Sequence, residues 1–247
     1  MRPAPIVPVV SLLLCLGSAR AADVEAPAAP GAEELAKACG EAKAEACAAL
    51  GKLGRRHLHG DGVPVDPRRA AALLEKACGG ADAPACVWLG SMLMRGEGVA
   101  QNLDRARQAF DRACGAEDPL ACWELGLMYE YGQGVRLSVS RSLEYYERSC
   151  RAKNAYACEK LGTLYDEGVV PGNRGEAAVR AADWWAVGCD LGAPESCARL
   201  GEAFLAGKGR DRDATRAGDL FRKACAGGGK QACARVDGAA KPAAASN

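Results

Sequence analysis

The chain is poor in the residues that most often carry chemistry. Of its 247 residues only two are histidines, His57 and His59, and only 5% are aromatic. No Ser-x-x-Lys, Ser-Asp-Asn or Lys-Thr-Gly occurs, so the nucleophile pattern of serine β-lactamases is missing. Cys-x-x-Cys is also absent, which removes the usual reactive-disulfide motif and the close cysteine spacing of zinc sites. Charge of one sign is not in excess: 32 Lys and Arg face 31 Asp and Glu. Such a balance gives no electrostatic footprint for nucleic acid or an anionic membrane. The one long apolar run, Ile6 to Leu16, is 11 residues, against the roughly 20 that a membrane-spanning helix needs.

What the chain has is cysteine in register. Twelve of its 13 cysteines form pairs eight residues apart: Cys39-Cys47, Cys78-Cys86, Cys114-Cys122, Cys150-Cys158, Cys189-Cys197 and Cys225-Cys233. Residues eight apart on one helix are separated by about 12 Å, whereas a disulfide needs Cα atoms within roughly 7 Å. The seven residues between each pair carry turn formers, among them Gly79, Gly80, Gly115, Pro119, Asn154, Gly192, Pro194 and Gly227 to Gly229. A tight connection between antiparallel helices suits them, with each pair stapling one helix end to the next helix start. In the chain-entropy model each nine-residue loop contributes about 2.5 kcal/mol.

Residues 1–21 read as a signal peptide. Arg2 precedes the apolar run, and Ala19-Arg20-Ala21 offers a small-x-small site with cleavage after Ala21. Cys15 would leave with it, so an even set of cysteines remains in an exported, periplasmic or extracellular chain. Loss of Arg2 and Arg20 turns the formal charge from +1 to −1. Residues 22–32 read as a flexible leader, and 234–247 as a tail that starts like a helix and ends in disorder.

Between them the chain repeats. A half-repeat, 33–46, precedes full repeats starting at 47, 86, 122, 158 and 197, each 36 or 39 residues long. The first helix of each carries Leu-Gly (Leu53-Gly54, Leu89-Gly90, Leu125-Gly126, Leu161-Gly162, Leu200-Gly201), followed three residues on by His57, Leu93, Tyr129, Tyr165 or Phe204. Glycine inside a helix costs about 1 kcal/mol, so its recurrence implies a close-packed neighbour. Gly-x-Gly loops end these helices at Gly60, Gly96, Gly132 and Gly207. Asp66, Asn102, Ser138 and Asp213 then stand as N-caps of the second helices. The fourth repeat lacks the second glycine and is longer between Gly168 and Gly175, so a bulged connection is expected there.

With Leu-Gly, Gly-x-Gly-Val and the Lys-Ala-Cys of Lys76-Ala77-Cys78 and Lys223-Ala224-Cys225, the chain resembles the Sel1-like repeats, relatives of tetratricopeptide arrays, from Leu35 to Cys233. Among these it is most similar to the secreted, cysteine-rich bacterial members. The resemblance implies an all-α, right-handed α-solenoid of helix pairs, each stapled by a disulfide, whose first helices bind peptides or proteins. It also implies two alternatives: penicillin-binding or β-lactamase-like activity, and a redox-linked role like that of a cytochrome c oxidase assembly factor.

His57-Leu58-His59-Gly60-Asp61 has the His-x-His-x-Asp form of zinc β-lactamases, but further histidine ligands are missing, and His57 falls in the column of Tyr129 and Tyr165. No catalytic residue, metal or cofactor is therefore expected. A partner protein or peptide is expected to meet a monomer at positions on the first helices that do not repeat: Trp88 and Trp123, then Met128, Tyr131, Arg95 and Lys160.

Overall fold

The computed structural model describes residues 31–170 and 172–239. The expected signal peptide, all but the end of the leader and the last eight residues lie outside them. The described residues form twelve helices and no strand: α1 (Ala32–Gly40), α2 (Ala44–His59), α3 (Pro67–Gly79), α4 (Ala83–Arg95), α5 (Leu103–Gly115), α6 (Pro119–Tyr131), α7 (Val139–Arg151), α8 (Ala155–Asp166), α9 (Arg174–Asp190), α10 (Pro194–Ala206), α11 (Ala214–Ala226) and α12 (Lys230–Ala239). Packing runs chiefly between consecutive helices, most heavily in the pairs α2–α3, α4–α5, α6–α7, α8–α9 and α10–α11. This is an α-solenoid built from helix pairs.

All six cysteine pairs are bridged, with Cα atoms 4.5 to 4.9 Å apart. The chain reverses at each junction by one device. The residue three after the first cysteine is left-handed, and it is Ala42, Ala81, Glu117, Lys153, Gly192 or Gly228. At the third junction the Glu117 N–H donates to the Cys114 carbonyl and the Asp118 N–H to the Ala113 carbonyl, both at 3.0 Å. The other five junctions repeat these two bonds, the pattern that satisfies otherwise orphaned carbonyls at a helix end. The next helix starts at once: Asp82, Asp118 and Asn154 accept hydrogen bonds from the first N–H groups of α4, α6 and α8.

Within a repeat the Leu-Gly glycine is where the two helices meet. A Cβ on Gly90 would lie 2.7 Å from the Phe110 ring, one on Gly126 2.4 Å from Tyr146, and one on Gly162 2.3 Å from Trp185. Those rings, with Phe221, Leu74 and the alanines beside them, form the buried stripe of the second helices. Between repeats the contact is the second glycine of the loop. A Cβ on Gly98 would sit 2.3 Å from the Pro67 carbonyl oxygen, and one on Gly209 2.1 Å from that of Ala178. The loops at Gly98, Gly134 and Gly209 thus rest on the early residues of the preceding second helix.

One expectation changes. The fourth repeat's connection, 167–173, is no longer than those at 60–66, 96–102, 132–138 and 207–213, seven residues each. Its extra residues are helical instead, so α9 has 17 residues where α5, α7 and α11 have 13, with Asn173 capping the added turn. The tail starts as a helix, as its sequence suggests: α12 runs to Ala239.

Candidate functional site on the first helices

The first helices of successive repeats touch at α2–α4 and α8–α10, and α4, α6 and α8 present corresponding partly exposed positions, a candidate binding strip. On α4 this is Trp88, Ser91 and Arg95; on α6 it is Glu124, Leu127 and Tyr131; on α8 it is Lys160 and Thr163, with Glu167 at its C-cap. The spacing of three and four residues keeps each trio on one helical face.

Five of the six expected positions lie on or beside this strip. Tyr131 is 59% exposed. Trp88 is half-buried and meets the His59 ring edge-on, with centroids 5.1 Å apart. Trp123 is half-buried too, but it leans on the Tyr146 ring at 5.1 Å, so much of it is spent on packing. Arg95 is exposed and pairs with Glu97 at 3.0 Å. Met128 does not belong: its side chain is fully buried in the core. Its column, Met92, Met128, Leu164 and Ala203, is apolar in four repeats, a repetition of chemistry rather than of identity that the sequence already carried.

Lys160 is held rather than free. Its ammonium lies 2.8 Å from Glu130, whose other carboxylate oxygen accepts the Tyr146 hydroxyl at 2.5 Å. This chain joins α6, α7 and α8 across two repeats. Burial and then the bond to Glu130 push the Tyr146 phenol far above its ordinary value. Burial works against the Lys160 ammonium, but Glu130 outweighs it and its pKa is raised. Glu130 and Tyr146 were not legible as partners because 16 residues separate them.

Two carboxylates, Glu124 on the strip and Glu159 beside it, are under strain of another kind. Burial raises the Glu124 pKa, opposed only by the charge of Arg95. Burial also raises that of Glu159, reinforced by Glu195 and opposed by Arg199, Lys160 and a hydrogen bond from Thr163. Among the described residues no cation lies within ion-pair distance of either. An incoming cation would relieve both.

The histidine motif is structural. His57 is buried with Nδ1 3.2 Å from the Pro64 carbonyl oxygen. Among the described residues no group of three or more His, Cys, Asp or Glu is placed to hold a metal ion, and no described helix is long and apolar enough to cross a membrane.

The Sel1 repeat profile matches five segments, residues 44–81, 83–116, 119–154, 155–192 and 194–229. The chain belongs to the Sel1 repeat family. Each matched segment of the Sel1 array starts at or next to the first residue of a first helix, three residues ahead of its cysteine. Among solved structures, a Sel1 repeat protein from Oxalobacter formigenes is 24% identical with a TM-score of 0.66, covering 82% of this chain and 86% of that one. A protective antigen of uropathogenic Escherichia coli with an SLR fold is also 24% identical, with a TM-score of 0.51 over 83% of this chain and 50% of that one. Cysteine rich protein B of Helicobacter pylori is 25% identical over 54% of this chain and 94% of that one, with a TM-score of 0.43. These likenesses concern the fold. No curated protein matches the chain.

Proposed function

We propose that this Sel1 array is an exported binding scaffold that takes an extended peptide segment bearing lysine or arginine along the strip of its first helices. The apolar run ahead of Ala19-Arg20-Ala21 and the even set of twelve paired cysteines support export. The observation that carries the ligand class is the pair of half-buried carboxylates without an ion-pair partner among the described residues, Glu124 and Glu159, on first helices that also present the half-buried ring of Trp88 and the exposed ring of Tyr131. A cationic side chain would pair with the carboxylates while its aliphatic stem covers an aromatic face.

The test is an array of short peptides probed with the full oxidised chain, followed by fluorescence anisotropy on the binders. Lysine- or arginine-containing peptides are expected to dominate. Glu124→Gln and Trp88→Ala should each weaken them about tenfold, the effect of losing about 1.4 kcal/mol. Binders without basic residues, or affinities indifferent to both substitutions, would remove this reading.

A further inference from the structure

A second site lies away from the strip, where α5, the end of α6, the loop 132–138 and the start of α7 enclose a cleft of 690 Å³. Its walls bring together three guanidinium groups, Arg107, Arg136 and Arg141, with the Tyr129 ring and Ser138, and no carboxylate.

The three arginines are unequally satisfied. Arg107 pairs with Asp111 at 2.7 Å, and Asp111 also accepts the Tyr145 hydroxyl at 3.2 Å. Arg141 spends one N–H on the Tyr129 hydroxyl at 2.9 Å and lies over that ring, 5.2 Å from its centroid. Its partner is neutral, so the contact fixes the guanidinium in place without cancelling its charge. Arg136 makes no ion pair among the described residues. The cleft therefore holds about two uncompensated positive charges, one on Arg141, already oriented, and one on the exposed Arg136. Ser138 caps α7 here, so the positive end of that helix adds to the same field.

Two of these arginines break the repeat. Where Arg107 stands, the other repeats have Ala71, Leu143, Ala182 and Gly218; where Arg136 stands, Pro64, Ala100 and Asp211 are found. Arg141 is different, since arginine recurs at its position as Arg69, Arg105, Arg180 and Arg216. One common arginine has thus been joined by Arg107 of the preceding repeat and Arg136 of the same repeat, neither of which recurs at its position.

We propose that this cleft binds a tetrahedral oxyanion, the phosphate of either the free ion or a phosphomonoester. A guanidinium presents paired donors that match such oxygens, and the anion would relieve the like-charge crowding.

The experiment is a thermal melt and calorimetric titration of the full oxidised chain with inorganic phosphate or O-phosphoserine, against sodium chloride at equal ionic strength. Phosphate at about ten millimolar is expected to raise the melting midpoint by a few degrees over chloride. Arg136→Gln and Arg107→Gln should each weaken binding at least tenfold, while Arg68→Gln, an exposed arginine outside the cleft, leaves it unchanged. Both cleft substitutions lie on the surface, and unchanged far-ultraviolet circular dichroism would verify folding. Response to the free ion alone assigns the site to inorganic phosphate, and response to O-phosphoserine assigns it to a phosphoryl group on a carrier. No gain over chloride with either anion, or equal gain in the Arg136→Gln and wild-type chains, overturns the proposal.

Discussion

At the residue scale, two glycines in similar sequence surroundings face opposite demands. Gly126 is backed by the Tyr146 ring at 2.4 Å from where a Cβ would lie, and Tyr146 is fully buried, with nowhere to retreat. Gly126→Ala is expected to cost at least about 2 kcal/mol through overpacking. Gly115, at the end of α5, has nothing within 4 Å of that point, and Gly115→Ala should be neutral or stabilising by up to about 1 kcal/mol. Urea unfolding of both variants checks the contrast. Glu117 sits at φ 60°, a conformation that its Cβ disfavours; Glu117→Gly should raise stability by about 1 kcal/mol. The Glu124 prediction is one of pH. A carboxylate whose pKa is raised on folding penalises the folded state when ionised, so the penalty is full above the raised value and gone below the ordinary 4.5. Glu124→Gln is therefore expected to raise the melting midpoint at neutral pH, with the gain fading as pH falls through that window. A gain that stayed constant with pH would contradict the assigned cause.

At the element scale, the second-helix caps Asp66, Asn102, Ser138 and Asp213 were readable because each stands at one fixed distance before a cysteine, and each accepts the N–H three residues on. The first-helix caps were not. Asp82 and Asp118 lie inside heptapeptides whose glycines and prolines marked a turn without marking its geometry, and the left-handed residue turned out to be alanine, glutamate or lysine at four of six junctions. Glycine signals freedom to turn; the hydrogen-bond pattern decides which residue does so. Asp118 accepts from the Leu120 and Ala121 N–H groups at 3.0 and 2.9 Å. Asp118→Ala should cost about 1 kcal/mol, which equilibrium unfolding can measure against the naturally uncapped start of α10 at Ala193. Failure to repeat picked out Trp88, Tyr131, Arg95 and Lys160, and the fold leaves all four at least partly exposed on the first helices. The same rule misplaced Met128 and passed over Glu130, because an apolar column can vary in identity while burying every member, and because ionic partners on different helices leave no local spacing to read.

At the scale of the whole molecule, the bridges are not equivalent. Cysteines of the first five pairs are at most 3% exposed, whereas Cys233 lies open on α12, where the described array ends. Under graded reduction followed by alkylation and mass spectrometry, Cys225 and Cys233 should label first, since exchange requires access for the attacking thiolate. Uniform labelling of all twelve would show that the array opens as a unit instead.

The connections between paired helices hold at seven residues in all five repeats, while α2 and α9 have grown to 16 and 17 residues. Length variation in this chain is thus quantised: it enters by about one helical turn, which returns every side chain near its former face, and the hairpin bends stay fixed. Insertions of one or two residues in α5 or α7 would rotate the buried stripe by about 100° or 200° and dismantle the repeat, whereas three or four should be absorbed. The array can be lengthened in steps, like a ratchet, but it has no gear between them.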